Sequence, residues 1–228
     1  RQQFCTCCKS RSAAPTSPLP GMRELPFCFS LQCLDGCKCG PIDVLFVLDS
    51  SESIGLQNFQ IAKDFIIKVI DRLSKDERVK VSFQGDILEA QFLQNYTVIA
   101  KVIDDMEFIN DATDVNAALR YVTNLYQQSS RANANKRVLI FSDGNSQGIT
   151  RNDIERAVQE AQQAGITIYV LAVGSQPHES NLQALVTGKT TEHKVAYEEN
   201  HLFRMPDYNS LLQGVFYQKV SRRIAAEN

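Results

Sequence analysis

Apolar residues change their spacing abruptly at Pro41. Asp43–Leu48 (DVLFVL) is a continuous apolar run bounded by Pro41 and by Asp49-Ser50, the pattern of a strand buried on both faces. In Asn58–Leu73, the residues Phe59, Ile61, Ala62, Phe65, Ile66, Val69, Ile70 and Leu73 recur at helical spacing and predict an amphipathic helix. Val79–Phe83 and Leu88–Phe92 read as two strands joined around Gly85-Asp86. Val98–Met106 predicts a short helix and Val115–Tyr126 a longer one. Arg137–Phe141 and Ile166–Val173 repeat the buried-strand pattern. Between them Asn152–Ala164 reads as a helix, capped by Asn152 or Thr150 and ended by Gly165. Asn181–Val186 predicts a short helix, Lys194–Tyr197 a last strand, and Tyr208–Ile224 a closing amphipathic helix.

Strands alternating with helices predict an α/β fold: a doubly wound, mostly parallel central sheet with helices on both faces. Residues 1–40 hold four of the seven prolines and no sustained period, so they read as an irregular Cys/Pro-rich tail or linker ahead of a domain over 41–228. In sheets of this kind ligands sit beyond the carboxyl ends of the strands, where the strand order reverses. The search for chemistry therefore narrows to the turns after Leu48, Phe141 and Val173.

The turn after Leu48 reads Asp49-Ser50-Ser51-Glu52-Ser53, an Asp-x-Ser-x-Ser pattern, and the turn after Phe141 reads Ser142-Asp143-Gly144. Asp49, Ser51, Ser53 and Asp143 would converge as hard oxygen ligands suited to Mg²⁺ or Mn²⁺. Asp and Ser also gather at turns and helix caps for purely local reasons, so that reading stands beside the first.

Composition adds less. The net charge of -2 gives no sign of nucleic-acid binding. Residues 1–40 carry +3, from Arg1, Lys9, Arg11, Arg23 and Lys38 against Glu24 and Asp35, which leaves -5 for the remainder. The basic end reads as solvated, with a membrane or polyanion contact as the alternative. No apolar run approaches the roughly 18–20 residues of a membrane span, so membrane insertion is not expected. The chain opens Arg-Gln-Gln, which reads as a fragment or processed product.

All seven cysteines (Cys5, Cys7, Cys8, Cys28, Cys33, Cys37 and Cys39) precede position 40. They predict disulfides in an oxidising compartment, and the odd count leaves at least one thiol for another chain. A zinc site and an unstructured segment are the alternatives; no histidine accompanies the thiols, and their spacing fits no common zinc finger. Asn95-Tyr96-Thr97 is an N-glycosylation sequon. His178, His193 and His201 are scattered over separate elements and read as surface histidines rather than a catalytic set. Neither a G-x-S-x-G elbow nor a phosphate-binding glycine loop is present.

Asp49–Gly55 (DSSESIG), Ser142–Gly144 (SDG) and the element order together resemble the von Willebrand factor A-type domain, with its metal-ion-dependent adhesion site, over about residues 42–226. Within that family the chain is most similar to the C-terminal A-domains of collagen VI alpha-1 chains. PIDVLFVLDSSESIGLQNF resembles the start of the first such domain, and QFLQNYT, FINDATDVNAALRYV, LIFSDGNSQG and LVTGKT resemble the last. The chain thus reads as a mosaic joined near residues 75–92. The resemblance implies a secreted, non-enzymatic matrix module that assists chain and microfibril assembly and adhesion. Its implied partners are other collagen chains, matrix proteins and cell-surface receptors.

Two departures from the family pattern stand out. Counting back from Ala118-Leu119 puts Val115 where the family places a metal-facing threonine, with Thr113 or Asp114 as a substitute only if the loop shifts. The expected site is therefore degenerate or vacant, with Mg²⁺ or Mn²⁺ at low occupancy, and a tightly bound ion is the alternative. Arg78–Gln84 also alternates polar with apolar where an interior strand should be apolar on both faces, which makes a buried Lys80 a concern. A metal-dependent adhesion domain that binds a partner carboxylate is the alternative function. An enzyme built on Asp49 and Asp143 would lack a positioned base.

Overall fold

The computed structural model describes residues 40–48, 54–84, 89–90, 95–108, 114–131, 133–145, 149–174, 177–188 and 195–226. The chain divides into two units, Arg1–Gly40 and Pro41–Asn228. Every element below belongs to the second. The seven cysteines lie outside the described residues, as does the proposed turn at Gly85-Asp86.

Six strands form one sheet in the order β3-β2-β1-β4-β5-β6: β1 (Ile42–Leu48), β2 (Val79–Gln84), β3 (Glu89–Ala90), β4 (Asn135–Phe141), β5 (Ile166–Val173) and β6 (Leu202–Met205). Five run parallel, and the short β3 pairs antiparallel to β2 at one edge. Seven α-helices are described: α1 (Leu56–Leu73), α2 (Tyr96–Asp104), α3 (Val115–Ser129), α4 (Arg151–Gln163), α5 (Glu179–Thr187), α6 (Val195–His201) and α7 (Gly214–Ala225).

The strand β1 explains why both faces must be covered. All seven of its residues are buried. Side chains alternate across a strand, so Val44, Phe46 and Leu48 join the core beneath α1, α2 and α7, while Leu45 and Val47 join the core beneath α3, α4 and α5. Helix α1 meets the first core with Phe59, Ala62, Phe65, Ile66, Val69, Ile70 and Leu73, an unbroken three-and-four spacing.

Strand β2 accounts for its own alternation. Val79 and Val81 are 4% exposed and pack toward α1 and α2. Lys80, between them, is exposed, because the helices on the other face cover β1, β4 and β5. Flanking β1 in the ladder therefore does not oblige β2 to be apolar on both faces, and the cost of burying Lys80 does not arise.

Two expectations near the end of the chain need correction. Residues from Val195 form helix α6, and the last strand is Leu202–Met205. Leu202 and Phe203 are both 4% exposed and enter opposite cores, which fixes the strand there. The closing helix is also divided: a 3-10 turn spans Asn209–Leu212, Gln213 is extended, and α7 begins at Gly214.

Several buried charges tie the layers together. The Asp43 carboxylate is fully buried and accepts from the Arg131 backbone N–H at 2.8 Å and from Arg131 Nε at 2.7 Å. Arg131 Nη2 also donates to the Ile42 and Arg78 carbonyls. Tyr126, wholly buried, places its hydroxyl against the Asp43 and Arg137 carbonyls. Burial, then the nearby Asp43 charge, pushes that phenol well above its ordinary pKa. Arg137 on β4 donates to the Ile224 and Ala226 carbonyls at the end of α7. Lys63, 4% exposed on α1, donates to the Asp104 and Met106 carbonyls at 2.7 and 2.9 Å and so holds the C-terminal end of α2.

Candidate functional site

Parallel register fixes where the oxygen-rich turns begin. Leu48 at the end of β1 is the register partner of Phe141 at the end of β4, and Phe141 that of Leu171 in β5. Strands β1 and β4 thus end side by side, at Leu48 and Phe141. Asp49, Ser51, Ser53 and Thr113 lie outside the described residues. A cleft of about 340 Å³ opens at this rim, with Ile54 from the first turn, Asp143 from the second, Gly174 after β5, and Asp207 and Tyr208 after β6 on its walls.

The turn after β4 is held from three sides. Ser142 is buried and its Oγ accepts from the Gly144 N–H at 3.1 Å. Asp143 is half-buried; its Oδ1 accepts from the Asn145 N–H at 2.8 Å, and its carbonyl from the His178 N–H at 2.8 Å. Asn181 Nδ2 donates to the Gly144 carbonyl at 2.9 Å. Gly144 has φ +80°, and a Cβ there would lie 2.8 Å from the His178 carbonyl oxygen. Only glycine suits that combination of backbone and close neighbour.

Val115 is 3% exposed and packs in the apolar core with Leu119 and Val122. Asp114 caps α3, accepting from the Ala117 N–H at 2.9 Å, which is the local use of an acidic turn residue. Among the described residues, no group of three or more His, Cys, Asp or Glu side chains could hold a metal ion. Among the described residues, the rim offers a hard cation one half-engaged carboxylate, Asp143, and hydrocarbon at 115.

Asn95 is exposed at the start of α2, where its Oδ1 accepts from the Val98 N–H at 3.1 Å and from the Thr97 hydroxyl at 2.7 Å. Its amide nitrogen is not needed for the cap. His178 is exposed and its Nδ1 lies 3.2 Å from the Ser180 hydroxyl; His193 lies outside the described residues. His201 corrects the surface expectation, being 3% exposed. The polar spacing of the sequence also gave no sign of Lys63, Arg131 or Asn116; the last is buried, with an Oδ1 that has no hydrogen-bond partner among the described residues.

The model of the von Willebrand factor type A domain matches residues 43–218. The collagen alpha-1(VI) chain of Gallus gallus is 56% identical over 198 residues, covering 82% of this chain and 19% of that protein. Its Mus musculus counterpart is 52% identical over 200 residues, covering 81% and 20%. The chain spans about a fifth of the length of these relatives. Among solved structures, proximal thread matrix protein 1 from the mussel byssus overlays with a TM-score of 0.64 at 16% identity, covering 82% of this chain and 48% of that one. Manganese-loaded Plasmodium vivax TRAP protein overlays with a TM-score of 0.60 at 14% identity, covering 81% and 73%.

Proposed function

Because the chain belongs to the von Willebrand factor type A family, we propose that it is a secreted, non-enzymatic binding and assembly module of the extracellular matrix. The observation that carries this reading is the 56% identity to a collagen alpha-1(VI) chain across four-fifths of the sequence. Its partners are other collagen chains, matrix proteins and cell-surface receptors. Surface packing, rather than a shared metal ion, makes the contact.

Val115 favours metal-independent binding over the alternative, a metal-dependent adhesion site completed by a partner carboxylate. A buried hydrocarbon at that position removes an oxygen that such a site would use. Enzyme chemistry lacks support in the same place. The Ser180–His178 contact is local and exposed, and among the described residues nothing orients the imidazole as a base.

The test is binding of the full chain to immobilised collagen VI microfibrils, with and without chelator, beside Asp143→Ala. Saturable binding that survives both treatments is expected. Loss of binding under both would establish the metal-dependent alternative. No saturable binding under any condition would overturn the assembly reading.

A further inference from the structure

His201 ends α6 inside an aromatic slot. Its ring centroid lies 3.8 Å from that of Tyr197 and 4.7 Å from that of Tyr169 on β5, stacked with both. Nδ1 is 2.7 Å from the Tyr197 carbonyl. A carbonyl only accepts, so Nδ1 carries the hydrogen and Nε2 a bare lone pair. That lone pair is buried and, among the described residues, has no hydrogen-bond partner. Burial lowers the imidazole pKa below its ordinary value, and the positive charges of Arg137 and Arg223 push the same way against the Tyr197 hydrogen bond.

The same two arginines hold the end of α7. Arg137 on β4 donates to the Ile224 and Ala226 carbonyls. Arg223 donates to the Asn200 side chain, next to His201, and its carbonyl receives the Tyr169 hydroxyl at 3.5 Å. The titratable and charged groups acting on His201 are thus Tyr197 on its own helix, Tyr169 on β5, Arg137 on β4 and Arg223 on α7. Among the described residues, none of these groups is a carboxylate able to neutralise a proton there.

We propose that His201 is a proton-sensitive latch on α7. A proton taken from solvent by Nε2 sets a third cation beside Arg137 and Arg223 and creates an N–H with no acceptor. The second half of α7, Val220–Ala225, then loosens while the sheet stays folded. With its folded-state pKa depressed, the latch is fully shut above the unfolded histidine value of about 6.5 and opens as the pH falls below it.

Amide hydrogen exchange of the full chain at pH 7.5 and 5.5, corrected for intrinsic rates, reads this out. Protection of Val220–Ala225 is expected to fall on the order of tenfold at pH 5.5, with β1 and β4 unchanged. In His201→Phe, which keeps a ring in the slot but cannot take the proton, the fall should vanish. Unchanged protection in the wild type, or an equal fall in the variant, overturns the latch. Should His201→Phe not fold, the wild-type His201 ring titration decides: a depressed midpoint supports the latch, and a midpoint at or above the ordinary value ends it.

Discussion

Arg131 closes over Asp43 with both its backbone N–H and its guanidinium, from 88 residues further along the chain. The carboxylate is fully buried and the arginine side chain about a quarter exposed. The same guanidinium bonds the Ile42 and Arg78 carbonyls, so one side chain joins the starts of β1 and β2. Arg131→Ala leaves an uncompensated buried charge and should cost about 3 kcal/mol in urea unfolding. A cost below about 0.5 kcal/mol, the scale of an ordinary surface change, would show that the pair does not hold the starts of β1 and β2 together.

Gly144→Ala should destabilise the chain by about 1–3 kcal/mol, because an alanine must hold a left-handed backbone. Its Cβ also meets the His178 carbonyl oxygen at 2.8 Å. Denaturant unfolding measures the loss. An unchanged midpoint would mean that the turn after β4 is not pinned against α5.

Val115→Thr separates the two readings of the rim. In chelator, a hydroxyl in the apolar core should cost about 1–3 kcal/mol. With excess Mn²⁺ the wild-type melting temperature should stay put while that of the variant rises, since an ion stabilises only a native state that binds it. A wild-type rise would show that the hydrocarbon at 115 does not disable the site.

Asn95 can carry a glycan without giving up its cap, since Oδ1 alone serves α2. Chain secreted from animal cells should shift in mobility on treatment with an N-glycosidase. Asn95→Asp should abolish the shift and leave the melt unchanged, whereas Asn95→Ala should also lose about 1 kcal/mol. Persistence of the shift in Asn95→Asp would place the glycan elsewhere.

The sheet was legible because its parallel strands are nearly uninterrupted hydrocarbon. IDVLFVL and ITIYVLAV can be strands covered on both sides and little else at that length. The turn carrying Asp143 was legible for the same reason: once the strands are placed, their carboxyl ends are placed too. Residues 194–205 were not, since KVAY and LFRM are equally short apolar runs, and only packing of Leu202 and Phe203 into opposite cores decides between them. Asp43 was hidden inside an apolar run and Arg131 in a stretch with no period. Their pairing is a property of the folded topology, not of spacing. His201 escaped in the same way, because a single histidine reads as solvated until aromatic rings are found on both its faces.

The contact between Arg137 and the end of α7 spans 87 residues to Ile224. It has a consequence for synthesis. A nascent chain that has already assembled β4 holds a guanidinium two of whose carbonyl acceptors are still to emerge. Closure over β4 therefore waits for α7, and a chain stopped before Ile224 leaves this buried guanidinium short of two oxygens.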